Sequence, residues 1–340
     1  MDQHQLTQVA HAMVARGKGI LAADESSSTI KKRFDAIGVD STENTRRDYR
    51  EFMFRAQAMK ENISGVILYD ETIRQKAKDG TPLVKLIEAA GAIPGIKVDM
   101  GAKPMPFFPG ETITEGLDGL PKRMKDYYDL GARFAKWRAV ITIADGKPTG
   151  GAVRANMQAL ARYAAICQEA NIVPIVEPEV LMDGDHTIER NFDVTRHVLL
   201  TLYNELYEHR VFLEGTVLKP NMVVPGEDCP KKATPDEVAA WTIRLFRECV
   251  PVAVPGIAFL SGGQSDVEAT ANLDAINRLG PQPWSITFSY GRALQAAAQK
   301  AWSGKDGNVA AGQAAFNHRA KMNGLAAIGE WSETTEKAAA

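Results

Sequence analysis

Lys219 stands where a lysine is least expected. It closes the apolar pair Val217-Leu218 and is followed by Pro220, so it reads as the charged end of a buried strand. A lysine amine attacks a carbonyl only when neutral, and at an ordinary pKa of about 10.4 roughly one in a few thousand is neutral at pH 7. Desolvation and neighbouring cations favour the neutral form, which is how lysines become imine-forming nucleophiles. Lys97 and Lys136 occupy similar strand contexts. Each alone fits a lysine whose stem packs on apolar surface while its ammonium reaches water.

Other polar groups end or interrupt apolar runs in the same way: Asp24, Asp99, Arg138, Glu177, Glu179, Ser261 and Ser289. A charge in such a run is costly unless paired, so one alone could be a structural ion pair, whereas many together point to a converging site. Glu177 and Glu179 are two residues apart, which puts both on one side of an extended backbone. Leu260-Ser261-Gly262-Gly263-Gln264-Ser265 leads into a helix signal, and Ser289-Tyr290-Gly291-Arg292 opens another. Glycines let backbone N–H groups approach an anion, and a helix start supplies more of them. A neutral lysine, carboxylates and phosphate donors together fit carbonyl chemistry on a sugar phosphate. The lysine forms an imine with a ketone, and the iminium serves as electron sink for carbon–carbon cleavage. A metal site is not expected, because the six histidines are scattered and only His186 lies near a strand end. No cofactor is expected either.

The elements that must position these groups follow from the hydrophobic pattern. Eight short apolar runs recur: Gly19 to Asp24, Ser64 to Asp70, Ile93 to Asp99, Phe134 to Ile143, Ile172 to Glu179, Phe212 to Met222, Gly256 to Leu260 and Trp284 to Phe288. Helical patterns alternate with them, as βα units require. Ser265-Asp266-Val267-Glu268 and Thr234-Pro235-Asp236-Glu237 are capping boxes, and the helix after the first is expected to bury Leu273, Ile276 and Leu279. The expectation is α/β: a single (β/α)8 TIM barrel spanning 1–340, with a short N-terminal helix (1–17) and a helical tail (326–340) that is flexible. In such a barrel the strand ends form the active site and the loops after strands seven and eight bind phosphate. The formal net charge of −2 argues against bulk nucleic-acid binding, and no stretch is long enough to span a bilayer. Three widely spaced cysteines suggest reduced thiols and a cytoplasmic protein.

Several segments together resemble class I (Schiff-base) fructose-bisphosphate aldolase. They are Gly17 to Ser26, Gly65 to Thr72, Gly95 to Gly101, Gly116 to Leu120, Phe134 to Arg138, Val173 to His186, Leu213 to Val223, Phe259 to Ser265 and Phe288 to Gln295. The resemblance implies that Lys219 is the Schiff-base lysine and Glu177 the principal acid/base, with Asp24, Lys136 and Glu179 in support. It implies phosphate contacts from Ser261, Gly262, Gly263, Ser289, Gly291 and Arg292, and further substrate contacts from Lys97, Arg138, Arg33 and Thr29. It also implies a cytoplasmic homotetramer, partnered only by its sugar phosphate, that cleaves fructose 1,6-bisphosphate in glycolysis and gluconeogenesis. Sedoheptulose bisphosphate and fructose 1-phosphate stand as alternative substrates. One feature departs from the pattern. Many members end in a tyrosine-bearing tail, whereas the last tyrosine here is Tyr290. Deletion after Trp331 is therefore expected to leave the cleavage rate within about tenfold, under about 1.4 kcal/mol of barrier.

Overall fold

A computed structural model describes residues 1–338. Its strands in chain order are β1 (Gly19–Ala23), β2 (Ile63–Leu68), β3 (Ile93–Lys97), β4 (Ala102–Pro104), β5 (Thr112–Thr114), β6 (Phe134–Ile141), β7 (Val173–Val180), β8 (Val217–Leu218), β9 (Gly256–Phe259) and β10 (Ser285–Tyr290). Eight of them close a parallel barrel in the order β1-β10-β9-β8-β7-β6-β3-β2. Helices intervene along the chain, making a (β/α)8 barrel.

Side chains alternate across each strand, so every strand feeds two cores. Outward residues such as Ala135, Trp137, Ala139 and Ile141 of β6 join one large cluster with the surrounding helices. Inward residues Ile20, Ala22, Ile67, Phe134, Val173, Ile175, Val217 and Ala258 join a second. The N-terminal helix Gln3–Met13 packs Leu6, Ala10 and Met13 onto that inner cluster. Val14 lies against Gly256, the first residue of β9, so this helix plugs the barrel at the amino ends of the strands. The filled interior explains Gly95, where a Cβ would stand 2.3 Å from the Phe134 ring.

Two elements differ from the sequence expectation. The long apolar run before Lys219 yields only the two-residue β8, because Leu213–Gly215 winds into a 3-10 turn and Pro220 has no N–H for the ladder. The Lys219 backbone N–H still donates to Val176 O at 2.8 Å, which fixes the base of its side chain. The second difference is the antiparallel pair β4–β5, an excursion between β3 and β6. Glu111 anchors it by accepting from Thr149 N and Oγ1 (2.8 and 2.7 Å), and Thr114 Oγ1 donates to Arg138 O at 2.7 Å.

Both capping boxes are present, at Thr234–Glu237 and Ser265–Glu268. Leu273 and Ile276 are buried, but Leu279 is exposed because the helix Asp266–Arg278 ends before it. Beyond the helix Val309–Ala326 the chain turns and forms a last helix, Glu333–Ala338. The final two positions of the expected flexible tail, Ala339 and Ala340, lie outside the described residues. Among those described, no helix is long and apolar enough to cross a membrane.

Candidate active site

The inward rows that fill the barrel with apolar side chains continue, in steps of two, into charged ones. Ala22 leads to Asp24, Gly95 to Lys97 and Asp99, Phe134 to Lys136 and Arg138, Ile175 to Glu177 and Glu179, and Val217 to Lys219. Register brings neighbours level: Lys97 pairs with Lys136, and Arg138 with Glu177. All of these charged residues line one cavity of about 420 Å³ at the carboxyl ends of the strands. That volume suits a small-molecule ligand.

Glu177 is the hub. Its Oε1 is 3.2 Å from Lys219 Nζ and its Oε2 is 3.4 Å from Lys136 Nζ. Lys136 Nζ also lies 2.8 Å from Asp24 and 3.9 Å from Asp99, whose other oxygen is 2.9 Å from Lys97 Nζ. Glu179 pairs instead with Arg138 at the rim. Lys219, Lys136 and Glu177 are each at most 4% exposed. Buried charges of this kind are tolerable because each is paired, and breaking one pair strands the other member.

The pairing fixes protonation. Burial acts to raise the Asp24 carboxyl, but Lys136, Lys219 and Lys97 override it and bring its pKa down to about 2. Burial works against the Lys136 ammonium, yet Asp24, Glu177 and Asp99 prevail and push its pKa up. Asp24 is thus a standing anion at neutral pH, and Lys136 a standing cation.

A second group of residues forms the walls. Ser261, after β9, begins a turn in which Gly262 adopts the left-handed conformation (φ +56°) that favours glycine. Gly263, beside it, packs against Met182. Arg292, after β10, donates to Gly262 O (3.2 Å) and Gln264 O (3.0 Å) rather than to a carboxylate. Buried Ser289 Oγ has no hydrogen-bond partner among the described residues. Ser261, Gly262, Ser289, Gly291 and Arg292 all line the cavity, and helices start just beyond both loops, at Asp266 and Arg292. Free N–H groups at a helix start, beside a glycine turn and an arginine, are groups that can hydrogen-bond an anion. Across the mouth stand Thr29, whose hydroxyl is 3.0 Å from Ser26 Oγ, and Arg33, held by Glu25 at 2.5 Å.

Two cavity groups were given no specific role by the sequence, although Asp99 stood among the polar groups expected to converge there. Asp99 ties Lys97 to Lys136 and accepts from Gly101 N. Its two-residue spacing from Lys97 was the available signal. Glu25 joins Arg33 to Gln295 Nε2, which donates to it at 3.0 Å. No local pattern marks a partner so distant in sequence.

Comparison with known proteins gives one answer. The family described as class-I fructose-bisphosphate aldolase matches residues 5–340. A curated "Probable fructose-bisphosphate aldolase class 1" from Xanthomonas campestris pv. campestris is 55% identical over 333 residues, covering 97% of this chain and 99% of that protein. Fructose-bisphosphate aldolase C of Rattus norvegicus is 52% identical over 341 residues, covering 100% and 94%. Among solved structures, fructose-bisphosphate aldolase from Plasmodium falciparum, crystallised with TRAP and a small-molecule inhibitor, superposes with a TM-score of 0.96. It is 49% identical, with 97% of this chain and 96% of that one covered.

Proposed function

The chain belongs to the class I fructose-bisphosphate aldolase family, and on that premise we propose how its own residues perform the family's reaction. That reaction is the reversible cleavage of fructose 1,6-bisphosphate to dihydroxyacetone phosphate and glyceraldehyde 3-phosphate, a step of glycolysis. The observation that carries the proposal is the buried contact of 3.2 Å between Lys219 Nζ and Glu177 Oε1.

Lys219, after yielding a proton to Glu177, attacks the C2 ketone. Glu177 returns a proton to the carbinolamine oxygen, water leaves, and the iminium forms. Asp24, a standing anion, stabilises that cation, and Lys136 holds the position of both carboxylates. Glu177, ionised again once water has left, takes the C4 hydroxyl proton as the C3–C4 bond breaks, and the electron pair moves into the iminium to give an enamine. Glyceraldehyde 3-phosphate departs. Glu177 returns that proton to C3, and hydrolysis of the resulting iminium releases dihydroxyacetone phosphate and restores the lysine. With Asp24 ionised down to about pH 2, Glu177 is the better proton carrier at neutral pH.

Ser261, Gly262, Gly263, Ser289, Gly291 and Arg292 are proposed to hold one phosphate, and Lys97, Arg138, Arg33 and Thr29 to receive the other end of the sugar. Glu179 keeps Arg138 aimed inward. By family resemblance the working assembly is a cytoplasmic homotetramer, and sedimentation of the purified chain tests that assembly.

Arg292→Ala tests the phosphate assignment. An arginine fork can meet a phosphate bidentately, and losing a charged hydrogen-bond pair costs about 1.5–3 kcal/mol. KM for fructose 1,6-bisphosphate is expected to rise at least about tenfold. The rise should be smaller on a monophosphate substrate that lacks the phosphate Arg292 serves. Unchanged kinetics on the bisphosphate would contradict the assignment.

A further inference from the structure

The last helix is fastened at a single carboxylate. Glu336 Oε1 accepts from Arg319 Nη1 at 2.8 Å and lies 3.0 Å from His318 Nε2. Its Oε2 accepts from Arg319 Nη2 at 2.6 Å and from Trp331 Nε1 at 2.9 Å. Burial acts to raise this carboxyl, but Arg319, Trp331 and His318 together bring its pKa down to about 2. Arg319 is 4% exposed, and its Nε has no partner among the described residues. Glu336 is the carboxylate that pairs with this buried guanidinium.

The fastening reaches the phosphate turn. Asn323, about one helical turn beyond Arg319, accepts from Thr270 Oγ1 at 2.7 Å, and Asp274 accepts from Trp331 N at 2.9 Å. Thr270 and Asp274 lie on the helix Asp266–Arg278, which begins directly after Ser265 and the Ser261–Gln264 turn. That helix begins at Asp266, one residue beyond its Ser265 cap. Arg292 in turn clamps the carbonyls of the turn. Hydrogen bonds therefore run from the tail to the helix behind the turn: Glu336 to Trp331 and Arg319, Trp331 to Asp274, and Asn323 to Thr270.

We propose that Glu336 is a positioning residue for phosphate binding: by pairing with Arg319 and Trp331 it holds the helix Asp266–Arg278, through Thr270 and Asp274, where it keeps the phosphate turn in its binding geometry. Without Glu336, Arg319 is a buried cation with no paired carboxylate among the described residues, and its helix shifts to relieve that charge. The bonds at Thr270 and Asp274 pass that shift to the helix Asp266–Arg278 and so to the turn that Arg292 clamps. This tail thus acts on substrate affinity from outside the cavity.

The inference rests on the assignment of the turn and Arg292 to a phosphate, so its test runs beside Arg292→Ala. The readouts are the affinity of the full chain for inorganic phosphate, KM and kcat for fructose 1,6-bisphosphate, and a thermal melt. Glu336→Gln is expected to weaken phosphate affinity and raise KM by about three- to tenfold, with kcat held within about twofold. The double variant Arg319→Met with Glu336→Gln removes the stranded cation, and both values should return to within about twofold of wild type. If the single variant fails to fold, the double variant and a chain ending at Trp331 with Arg319→Met carry the test, and both are expected to bind phosphate as wild type does. Unchanged affinity in a folded Glu336→Gln chain overturns the inference, as does a double variant that binds as weakly as the single. If Arg292→Ala also leaves phosphate affinity unchanged, the phosphate assignment itself has failed. If only Arg292→Ala weakens it, the tail's role alone is wrong.

Discussion

Lys219→Met is expected to lower kcat for cleavage by at least about 10⁴-fold, or roughly 5.4 kcal/mol of barrier. The size follows from what the amine does. Without an imine, the electron pair released on breaking C3–C4 has only a ketone to receive it. Methionine nearly matches the lysine stem in volume, so β8 and its contacts should persist. The substitution does leave Glu177 without its 3.2 Å partner, but Lys136 remains at 3.4 Å to keep that carboxylate paired. A variant that folds, binds fructose 1,6-bisphosphate and still turns over within a hundredfold of wild type would exclude Lys219 as the nucleophile.

Glu177→Gln should have the second largest effect, a fall in kcat of about 10³-fold, near 4 kcal/mol. The amide keeps the shape but can neither take the lysine proton nor deliver one to the carbinolamine oxygen. Neither neighbour can substitute. Asp24 stays ionised down to about pH 2 and so holds no proton to donate at neutral pH. Glu179 is turned to Arg138. Single-turnover measurement of iminium formation should show this step slowed, with substrate affinity changed far less. A loss below tenfold would move the acid/base role to another group.

The sequence made most of the barrel legible because its strands are buried on both faces. They read as apolar runs, and their period of two carries straight into the site. Ala22 to Asp24 and Ile175 to Glu177 are visible in the bare sequence as a core row turning charged. What hydrophobicity could not separate was strand from turn: Phe212-Leu213 is apolar enough for a strand, yet Leu213–Gly215 winds into a 3-10 turn in which only Gly215 is buried. The β4–β5 excursion was missed because β4 is exposed throughout and Phe107 near its tip is fully exposed, so neither carries a core period. Partners far apart in sequence left no local mark, which hid Glu25 with Gln295. Glu336 with Arg319 escaped for a related reason: the pair joins two separate helices, where no i,i+4 spacing announces it.

The central claim is an imine on Lys219, and borohydride reduction in the presence of dihydroxyacetone phosphate tests it most directly. Reduction converts the imine to a stable secondary amine that marks the lysine permanently. The purified chain is treated with and without a strong chelator, digested and mapped by mass spectrometry. The account predicts a single adduct on Lys219, formed equally in both samples, with cleavage activity lost in step with its formation. An adduct on Lys97 or Lys136 instead, or inactivation with Lys219 unmodified, would contradict it.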